Sequence, residues 1–337
     1  MTPLSVLDLA PVSSGRTSAA ALHESVALAQ HVERLGYGRV WVAEHHGMPG
    51  VASSAPAVLI AALAAATSHI RVGSGGVMLP NHAPLAVAEQ FGTLAGLHPG
   101  RIDLGLGRAP GTDQRTAALL RRGPDADDFP ADLALLRAFF AGPVQGVTAV
   151  PAEFNAPDIW LLGSSGFSAQ LAGLLGLPFA FAHHFSGHNT LPALDLYRSS
   201  FRPGVLDAPY AMICASVLVA DSYEDARRLS LPGALAFTLL RQGRPGVLPT
   251  LAEAEAYPWT PQERTFAEQR LDGQVLGSVD DVQVQLDRLL TNTEASELMV
   301  TTTAHALADR LKSYELLASL GAVDGTLALR AGAAAGH

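Results

Sequence analysis

The segment IRVGSGGVMLPNHAPLAVAEQFGTLAGLHPG, residues 70–100, contains one complete unit of strand, loop and helix. Its apolar run Ile70–Met78 predicts a strand. The run Pro84–Leu97 predicts a helix, because proline suits the first helical position and Pro99-Gly100 is a helix stop. The segment is therefore typical of folds in which each strand is followed by a helix.

The same order of strand and helix recurs along the 337 residues. Thr17–Leu35 has apolar residues at helical spacing and is followed by Gly36, which predicts a helix and its end. Eight apolar runs predict strands: Leu4–Ala10, Arg39–Ala43, Ile70–Met78, Ile102–Gly107, Asp158–Gly163, Phe179–His183, Tyr210–Ala220 and Glu297–Thr302. Eight such pairs predict an α/β fold, a single (β/α)₈ TIM barrel over residues 1–337. An open sheet of six or seven strands would give much of the same pattern.

Two segments are longer than simple connections. Thr112–Pro157 follows the fourth predicted strand and is polar and helical in pattern, and Leu231–Gln274 follows the seventh and is rich in proline and glycine. Long irregular segments inside a compact domain are usually functional or disordered. We therefore predict insertions after strands four and seven, and a mobile lid within Leu231–Gln274.

Composition excludes several classes of function. The chain has 31 acidic and 22 basic residues, a formal net charge of −9 and no basic stripe, so no nucleic-acid partner is expected. The single cysteine, Cys214, excludes an internal disulfide. The N-terminus has no basic region before an apolar core, and no apolar stretch is long enough for a bilayer. We expect no signal peptide, no membrane span and a cytoplasmic location.

Active sites of TIM barrels lie at the C-terminal ends of the strands. Glycine and polar residues follow five of the predicted strands, in the order Glu44-His45-His46, Gly75-Gly76 with Pro80-Asn81-His82, Gly107-Arg108, Gly163–Ser168 and His183-His184. Because these ends converge in a closed barrel, the sequence predicts a single site there.

Two of these strand ends predict a phosphate site. The fifth ends in GSSGFS, residues 163–168, and leads into a helix, so main-chain N–H groups and serine hydroxyls can face an anion. Arg108 would add a positive charge and a bidentate fork. Either feature alone is more often a helix cap or a salt-bridged arginine. The chain has no GxxxxGKS/T and no GxGxxG in a βαβ unit, which disfavours a nucleoside triphosphate or a Rossmann-bound nicotinamide.

The histidines at the strand ends permit two interpretations. Imidazole pairs bind metals in some hydrolytic barrels, but the first strand offers only Asp8 and no lysine is placed to form a bridging carbamate, so no metal is predicted. The alternative is a histidine that moves a proton beside a redox cofactor. Successive residues point to opposite sides of a strand, so only one of His45 and His46 should face the centre. A role in capping the loop stays open for His46.

Five segments, in this order, resemble the bacterial-luciferase-like flavin monooxygenases, most closely the branch that uses FMN. They are RVWVAEHHGMPGVASSAP (39–56), HIRVGSGGVMLPNHAPLAVAEQFGTL (69–94), PGRIDLGLGRAPGTD (99–113), GSSGFSAQLAGLLGLPFAFAHHF (163–185) and SELMVTTTAHALADRLKSYELLA (296–318). The similarity extends from about Leu4 to Ala318. It implies a (β/α)₈ enzyme that binds reduced FMN from a separate flavin reductase. Oxygen would add to the flavin, giving a hydroperoxide that oxidises an aldehyde, a ketone or another small organic substrate.

The resemblance also implies roles for single residues. His45 would be the catalytic histidine near the flavin, and Glu44 would contribute to the cofactor site. The bond of Gly75-Gly76 would be cis and lie beneath the isoalloxazine ring, where glycines also let a flat ring approach. Arg108 would bind the phosphate, together with Ser164, Ser165 and Ser168. Gly107 replaces a reactive cysteine of luciferase, so efficient light emission with a long-chain aldehyde is not expected. Candidates for a second phosphate arginine are Arg115, Arg121 and Arg122.

Three alternatives stay open. The first is a deazaflavin-dependent dehydrogenase on the same fold, and the second is a flavin-binding protein without catalysis, against which the retention of His45, Arg108 and Gly75-Gly76 argues. The third is the metal-dependent hydrolase. We also expect a homodimer with the small-residue helix Pro56–Thr67 in its interface. The substrate cannot be identified from the sequence, because its pocket is built from long loops.

Overall fold

The computed structural model describes residues 2–120 and 128–320. Its strands are β1 (Leu4–Asp8), β2 (Arg39–Val42), β3 (Arg71–Ser74), β4 (Val77–Met78), β5 (Ile102–Gly107), β6 (Asp158–Gly163), β7 (Phe179–Phe181), β8 (Ala211–Val219), β9 (Val275–Gly277) and β10 (Glu297–Thr301). Its α-helices are α1 (Ser18–Arg34), α2 (Pro56–Ala66), α3 (Pro84–Leu97), α4 (Gln114–Leu119), α5 (Phe129–Ala141), α6 (Gly166–Leu174), α7 (His183–Ser186), α8 (Thr190–Ser200), α9 (Tyr223–Arg241), α10 (Leu251–Ala256), α11 (Pro261–Asp272), α12 (Val279–Thr293) and α13 (Leu307–Ala318).

Eight of the strands close into a barrel. The order is β1-β2-β3-β5-β6-β7-β8-β10, with β10 paired to β1, and all pairings are parallel. Leu4 lies opposite Leu298, and Met212 lies opposite Glu297, so the last strand joins the first and the seventh. The predicted (β/α)₈ barrel is confirmed, and the open-sheet alternative is wrong.

The predicted third and sixth strands end differently in the structure. Ile70–Met78 is not continuous, because β3 stops before Gly75-Gly76 and β4 then pairs with Leu106 and Gly107 of β5. The peptide bond of Gly75-Gly76 is cis, as the resemblance implied. The sixth predicted strand ends at Phe181, and His183 begins α7 instead.

Both insertions contain helices, which the sequence indicated for Thr112–Pro157 but not for Leu231–Gln274. Thr112–Pro157 contains α4 and α5, and the connection after β8 contains α9, α10, α11 and the unpredicted short strand β9. Helix α9 continues through Pro232. Thr250 and Thr260 each form a capping box with the glutamate three residues later, so polar residues that suggested loop are helix starts.

Charged side chains fill the N-terminal end of the barrel. Arg39 donates Nε to Glu297 Oε1 and Nη1 to Asp103 Oδ2, each at 2.7 Å, and all three side chains are fully buried. Arg71 donates Nε to Asp103 Oδ1 at 3.0 Å and also pairs with Asp158. Each of the five residues stands first or second in its strand. The network is therefore structural, at the end opposite to the expected site.

Apolar side chains fill the next layer of the barrel: Leu7, Trp41, Trp160, Ala180, Met212, Cys214 and Met299. The rings of Trp41 and Trp160 meet edge to face at 5.2 Å. Burial raises the pKa of the Cys214 thiol well above its usual value, so the cysteine acts as a packing residue. Among the described residues, no helix is long and apolar enough to cross a membrane.

Candidate active site

The buried carboxylate of Glu44 connects the loops after β2 and β4. Its Oε1 accepts hydrogen bonds from His46 Nε2 at 2.9 Å, His82 Nε2 at 2.9 Å and Asn81 Nδ2 at 3.1 Å. Its Oε2 accepts from the main-chain N–H of Met78 at 2.9 Å. Burial acts to raise the pKa of Glu44, but the hydrogen bonds and charge of His82 outweigh it and lower the pKa. Glu44 therefore stays ionised and fixes the β4 strand end.

His45 has different partners from Glu44. Its Nδ1 lies 3.1 Å from the carbonyl oxygen of Gly111, and its main-chain N–H donates to Ser53 O at 3.0 Å. Because a carbonyl oxygen only accepts, the neutral ring carries its proton on Nδ1, and Nε2 keeps its lone pair. Burial lowers the pKa of His45, although the Gly111 bond and the charge of Glu44 oppose this. His45 is thus a neutral base at neutral pH.

Two more histidines lie near His45, at the end of β7. His184 Nδ1 is 3.0 Å from the carbonyl oxygen of Cys214, and His183 Nδ1 is 2.8 Å from Thr190 Oγ1. Burial lowers the pKa of His184 to about 4, and the nearby Arg270, His183 and His45 add to this effect against the Cys214 hydrogen bond. Burial also lowers the pKa of His183. This part of the barrel end therefore holds three neutral imidazoles.

The glycine pair after β3 packs against the barrel wall. A Cβ on Gly75 would come within 2.8 Å of Leu7 Cδ1, and one on Gly76 within 2.7 Å of the carbonyl oxygen of Gly105. The space for a side chain is thus already filled by protein. The glycines therefore have a packing role at the strand end, and the approach of a flat ring to this pair stays a prediction.

Arg108 and the β6 end meet at the rim of the barrel, as the sequence predicted. Arg108 is exposed, and its guanidinium carbon lies 4.3 Å from the centre of the Phe167 ring. Phe167 belongs to the first turn of α6. Ser165 is the N-cap of α6, yet its side chain makes no capping hydrogen bond. Ser164 is half-buried, and Ser168 is buried in that first turn with its Cβ against Gly163. A cation and a helix N-terminus therefore share one corner, which fits a phosphate group.

Of the further phosphate candidates, Arg115 lies on α4, whereas Arg121 and Arg122 lie outside the described residues. Residues 2–120 and 128–320 hold no group of three or more His, Cys, Asp or Glu that could bind a metal ion.

The insertion between β8 and β9 covers part of the barrel end. Leu248, in the connection from α9 to α10, donates its N–H to Val12 O at 2.8 Å and accepts from the N–H of Ser14 at 2.7 Å. Arg270 of α11 donates Nη1 to the carbonyl oxygen of His184 at 2.6 Å. Residues from the insertion thus contact the loop after β1 and helix α7.

Several of these contacts had no sequence signal strong enough to assign them. Asn81 and His82 were noted only as residues after the third strand, and their bonds to Glu44 join residues more than 30 apart in sequence. Arg270 lay in a segment predicted as irregular. The position of Arg270 on α11, facing α7, could be recognised only once the Thr260 capping box marked the start of that helix.

The chain was compared with known proteins. The family model described as luciferase-like monooxygenase matches residues 2–316. The luciferase-like monooxygenase of Escherichia coli K12 is 48% identical over 317 residues, 93% of this chain and 95% of that protein. The N-acetyl-S-alkylcysteine monooxygenase of Bacillus subtilis is 34% identical over 327 residues, 94% of this chain and 97% of that protein.

Solved structures share the fold. The crystal structure of apo-MsnO8 has a TM-score of 0.88 at 40% identity and covers 97% of this chain and 100% of its own. The oxygenating constituent of 3,6-diketocamphane monooxygenase from Pseudomonas putida, in complex with FMN, has a TM-score of 0.71 at 17% identity, covering 94% and 96%. An F420-dependent secondary alcohol dehydrogenase has a TM-score of 0.65 at 14% identity, covering 94% and 98%. The last two show the fold alone. From the family match and its relatives, this chain belongs to the luciferase-like monooxygenase family.

Proposed function

We propose that this protein is a monooxygenase that uses reduced FMN and O₂ to oxidise a small organic substrate, and that a separate reductase supplies the reduced flavin. The observation that best supports this proposal is that Arg108 and the N-terminus of α6 form one corner, on the same barrel end as His45. One phosphate corner suits a mononucleotide. A dinucleotide fingerprint is absent from the sequence.

The phosphate would be held by Arg108, by Ser164, Ser165 and Ser168, and by the first main-chain N–H groups of α6. A guanidinium offers two parallel donors to a phosphate, and a helix N-terminus adds a partial positive charge. The Ser165 hydroxyl makes no cap bond, so it is available to the ligand. The residues present therefore fit this end of FMN.

Reduced FMN, when bound, supplies the electrons that activate O₂. His45 Nε2, with its lone pair kept by the Gly111 bond, accepts or returns a proton beside the flavin. Glu44 acts as a positioning residue, because its four hydrogen bonds fix the loop of His45 relative to Gly75-Gly76. The helices of the insertion would shield part of this end of the barrel from water.

The substrate in this proposal is an aldehyde, a ketone or another small organic molecule. The relative from Bacillus subtilis is named an N-acetyl-S-alkylcysteine monooxygenase. Oxidation of a thioether that carries a carboxylate is therefore also worth testing. We further propose a cytoplasmic homodimer that meets its reductase only through diffusing reduced flavin.

Equilibrium binding of reduced FMN, reduced F420 and NADH to the purified protein tests the cofactor. We expect the tightest binding for reduced FMN. NADH oxidation should need an added flavin reductase, because the site holds one mononucleotide. Tighter binding of F420 would identify a deazaflavin-dependent enzyme instead. Efficient NADH oxidation by the protein and FMN alone would contradict the need for a reductase.

A further inference from the structure

Arg270 is a half-buried cation beside the neutral histidines of the barrel end. Its Nη1 donates to the carbonyl oxygen of His184, and its guanidinium carbon lies 4.5 Å from the centre of the Phe237 ring. Its Nε and Nη2 make no hydrogen bond to any residue in the two described ranges. These two atoms form the side of the guanidinium that binds a carboxylate through two parallel hydrogen bonds.

The acidic side chains of the same helix have other partners. Glu268 and Asp272 both pair with Arg227, and Glu263 caps the start of α11 through Thr260. Burial lowers the pKa of Arg270, with no nearby carboxylate to oppose it among the described residues. A half-buried cation without a counter-ion has lost part of its hydration, which has a free-energy cost. Arg270 therefore has unused capacity for an anion.

Among the described residues, no carboxylate forms an ion pair with Arg270 that would compete with a bound anion. Arg270 donates to the carbonyl oxygen of His184, and His183 and His184 are the first two residues of α7, so the guanidinium lies at the start of that helix. The carboxylate of Glu44, which precedes His45 in the chain, is already bound by two histidines, one amide and one main-chain N–H. The rim of neutral and positive groups favours an anionic ligand.

An aromatic cluster adjoins the guanidinium. The Phe237 ring stacks on that of Phe266 at 5.9 Å and meets that of Phe185 edge to face at 6.3 Å. Phe185 stands in α7, directly after β7, and is 64% exposed. Arg270 thus lies beside an accessible apolar surface next to the histidines. That combination suits a molecule with one charged end and one apolar end.

We propose that Arg270 determines substrate specificity by binding the carboxylate of an anionic organic substrate, whose apolar part lies along Phe185 and Phe237. This inference rests on the proposed monooxygenase function. Arg270 makes no bond to the reacting atoms. It holds the substrate in place beside His45 and the cofactor.

The test compares carboxylates with their neutral amides: acetate, hexanoate and phenylacetate against acetamide, hexanamide and phenylacetamide. Binding is measured by calorimetry on the full chain, first without and then with FMN. We expect at least one carboxylate to bind about ten-fold or more tightly than its amide, and Arg270→Gln to remove that preference. Arg270→Lys should keep part of it, because the charge stays while the fork is lost.

Arg264→Gln is the matched control, since Arg264 is an exposed arginine on the same helix. It should leave the preference for the carboxylate intact. The proposal is overturned if no carboxylate binds more tightly than its amide, or if Arg270→Gln weakens both ligands equally, as a purely structural role would. It is also overturned if Arg270→Gln weakens FMN binding far more than riboflavin binding, because Arg270 would then bind the cofactor phosphate. Failure of FMN to bind would defeat the proposed function, while the preference could still be measured without cofactor.

Discussion

His45 and His184 each direct Nδ1 to a main-chain carbonyl oxygen, that of Gly111 or that of Cys214. The same arrangement leaves Nε2 of each neutral ring as an acceptor. The protonation of both rings is thus set by backbone geometry and burial. Sequence alone indicated that one of His45 and His46 would face the centre, and the structure gives the two rings different partners. It could not indicate which carbonyl each ring would meet, because that depends on loops distant in the chain.

We predict that His45→Ala lowers the rate of substrate oxidation while FMN affinity changes little, and that His46→Ala lowers it less. The reason is that Nε2 of His45 is the available base, whereas Nε2 of His46 is bound to Glu44. Because burial lowers the pKa of His45, the wild-type rate should persist somewhat below pH 6.5 and then fall as the ring becomes protonated. Stopped-flow rates across pH check this, and a wild-type rate in the His45 variant would refute the assignment.

We predict that Arg108→Ala weakens FMN binding by roughly ten-fold or more and riboflavin binding much less. A charge-assisted hydrogen bond contributes about 1.5–3 kcal/mol, and riboflavin lacks the phosphate. Fluorescence titration of both ligands measures the two affinities. Arg202→Ala, an exposed arginine in the connection between α8 and β8, is the control and should change neither. Equal losses for FMN and riboflavin in the Arg108 variant would place the arginine away from the phosphate.

At the scale of elements, strands and amphipathic helices were predictable, and so were the positions of the insertions, but not the elements within the second insertion. Helix α3 has the predicted bounds Pro84–Leu97, because proline and glycine mark both ends locally. The strand Ile70–Met78 was predicted as one piece, yet it divides at Gly75-Gly76, where the backbone passes against Gly105 O. Helix α9 begins with an ordinary capping residue but continues through Pro232, which is buried in the fold. Tertiary packing decided each of these cases.

We predict that the connection between α9 and α10 opens in the absence of flavin. Residues 242–247 are exposed, while Leu248 is bound to the loop after β1. Limited trypsin digestion should cut after Arg241 and should be slowed by reduced FMN, since closure shields the cofactor from water. Arg244 precedes proline and resists trypsin, so Arg241→Gln serves as the control and should remove this cut. Identical digestion with and without reduced FMN would indicate a static insertion.

For the whole molecule, the alternation of strands and helices predicted a closed barrel but left an open sheet possible, and the family resemblance favoured the barrel. The buried charges of the N-terminal end were not predicted, because Arg39, Asp103 and Glu297 come from three distant segments. Each of these charged residues stands at the start of a strand, within an apolar run. The sequence pattern reveals the run, but not the partner of the charged residue inside it. The division into a structural end and a functional end emerges only when the strands are assembled.

We predict that Val58→Glu converts a homodimer to monomer. Helix α2 is apolar along its length, and Val58 is 73% exposed in the single chain. A charge placed in an apolar interface is costly to bury. Sedimentation velocity measures the mass, and Val284→Glu on α12, at a position 70% exposed, is the matched control. A wild-type protein that sediments as a monomer, or a Val58 variant that stays dimeric, would contradict the prediction.

The pairing of β1 with β10 has a consequence for synthesis of the chain. Glu297 stands 258 residues after Arg39. A ribosome has therefore made most of the protein before Glu297, the second carboxylate that pairs with Arg39, has been synthesised. Until then the sheet has two free edges, and Arg39 has the carboxylate of Asp103 but lacks that of Glu297. Contacts of such long sequence separation form slowly, and exposed strand edges promote aggregation. Nascent chains stalled before Glu297 should therefore depend on chaperones, whereas chains released after Thr301 should close the barrel on their own.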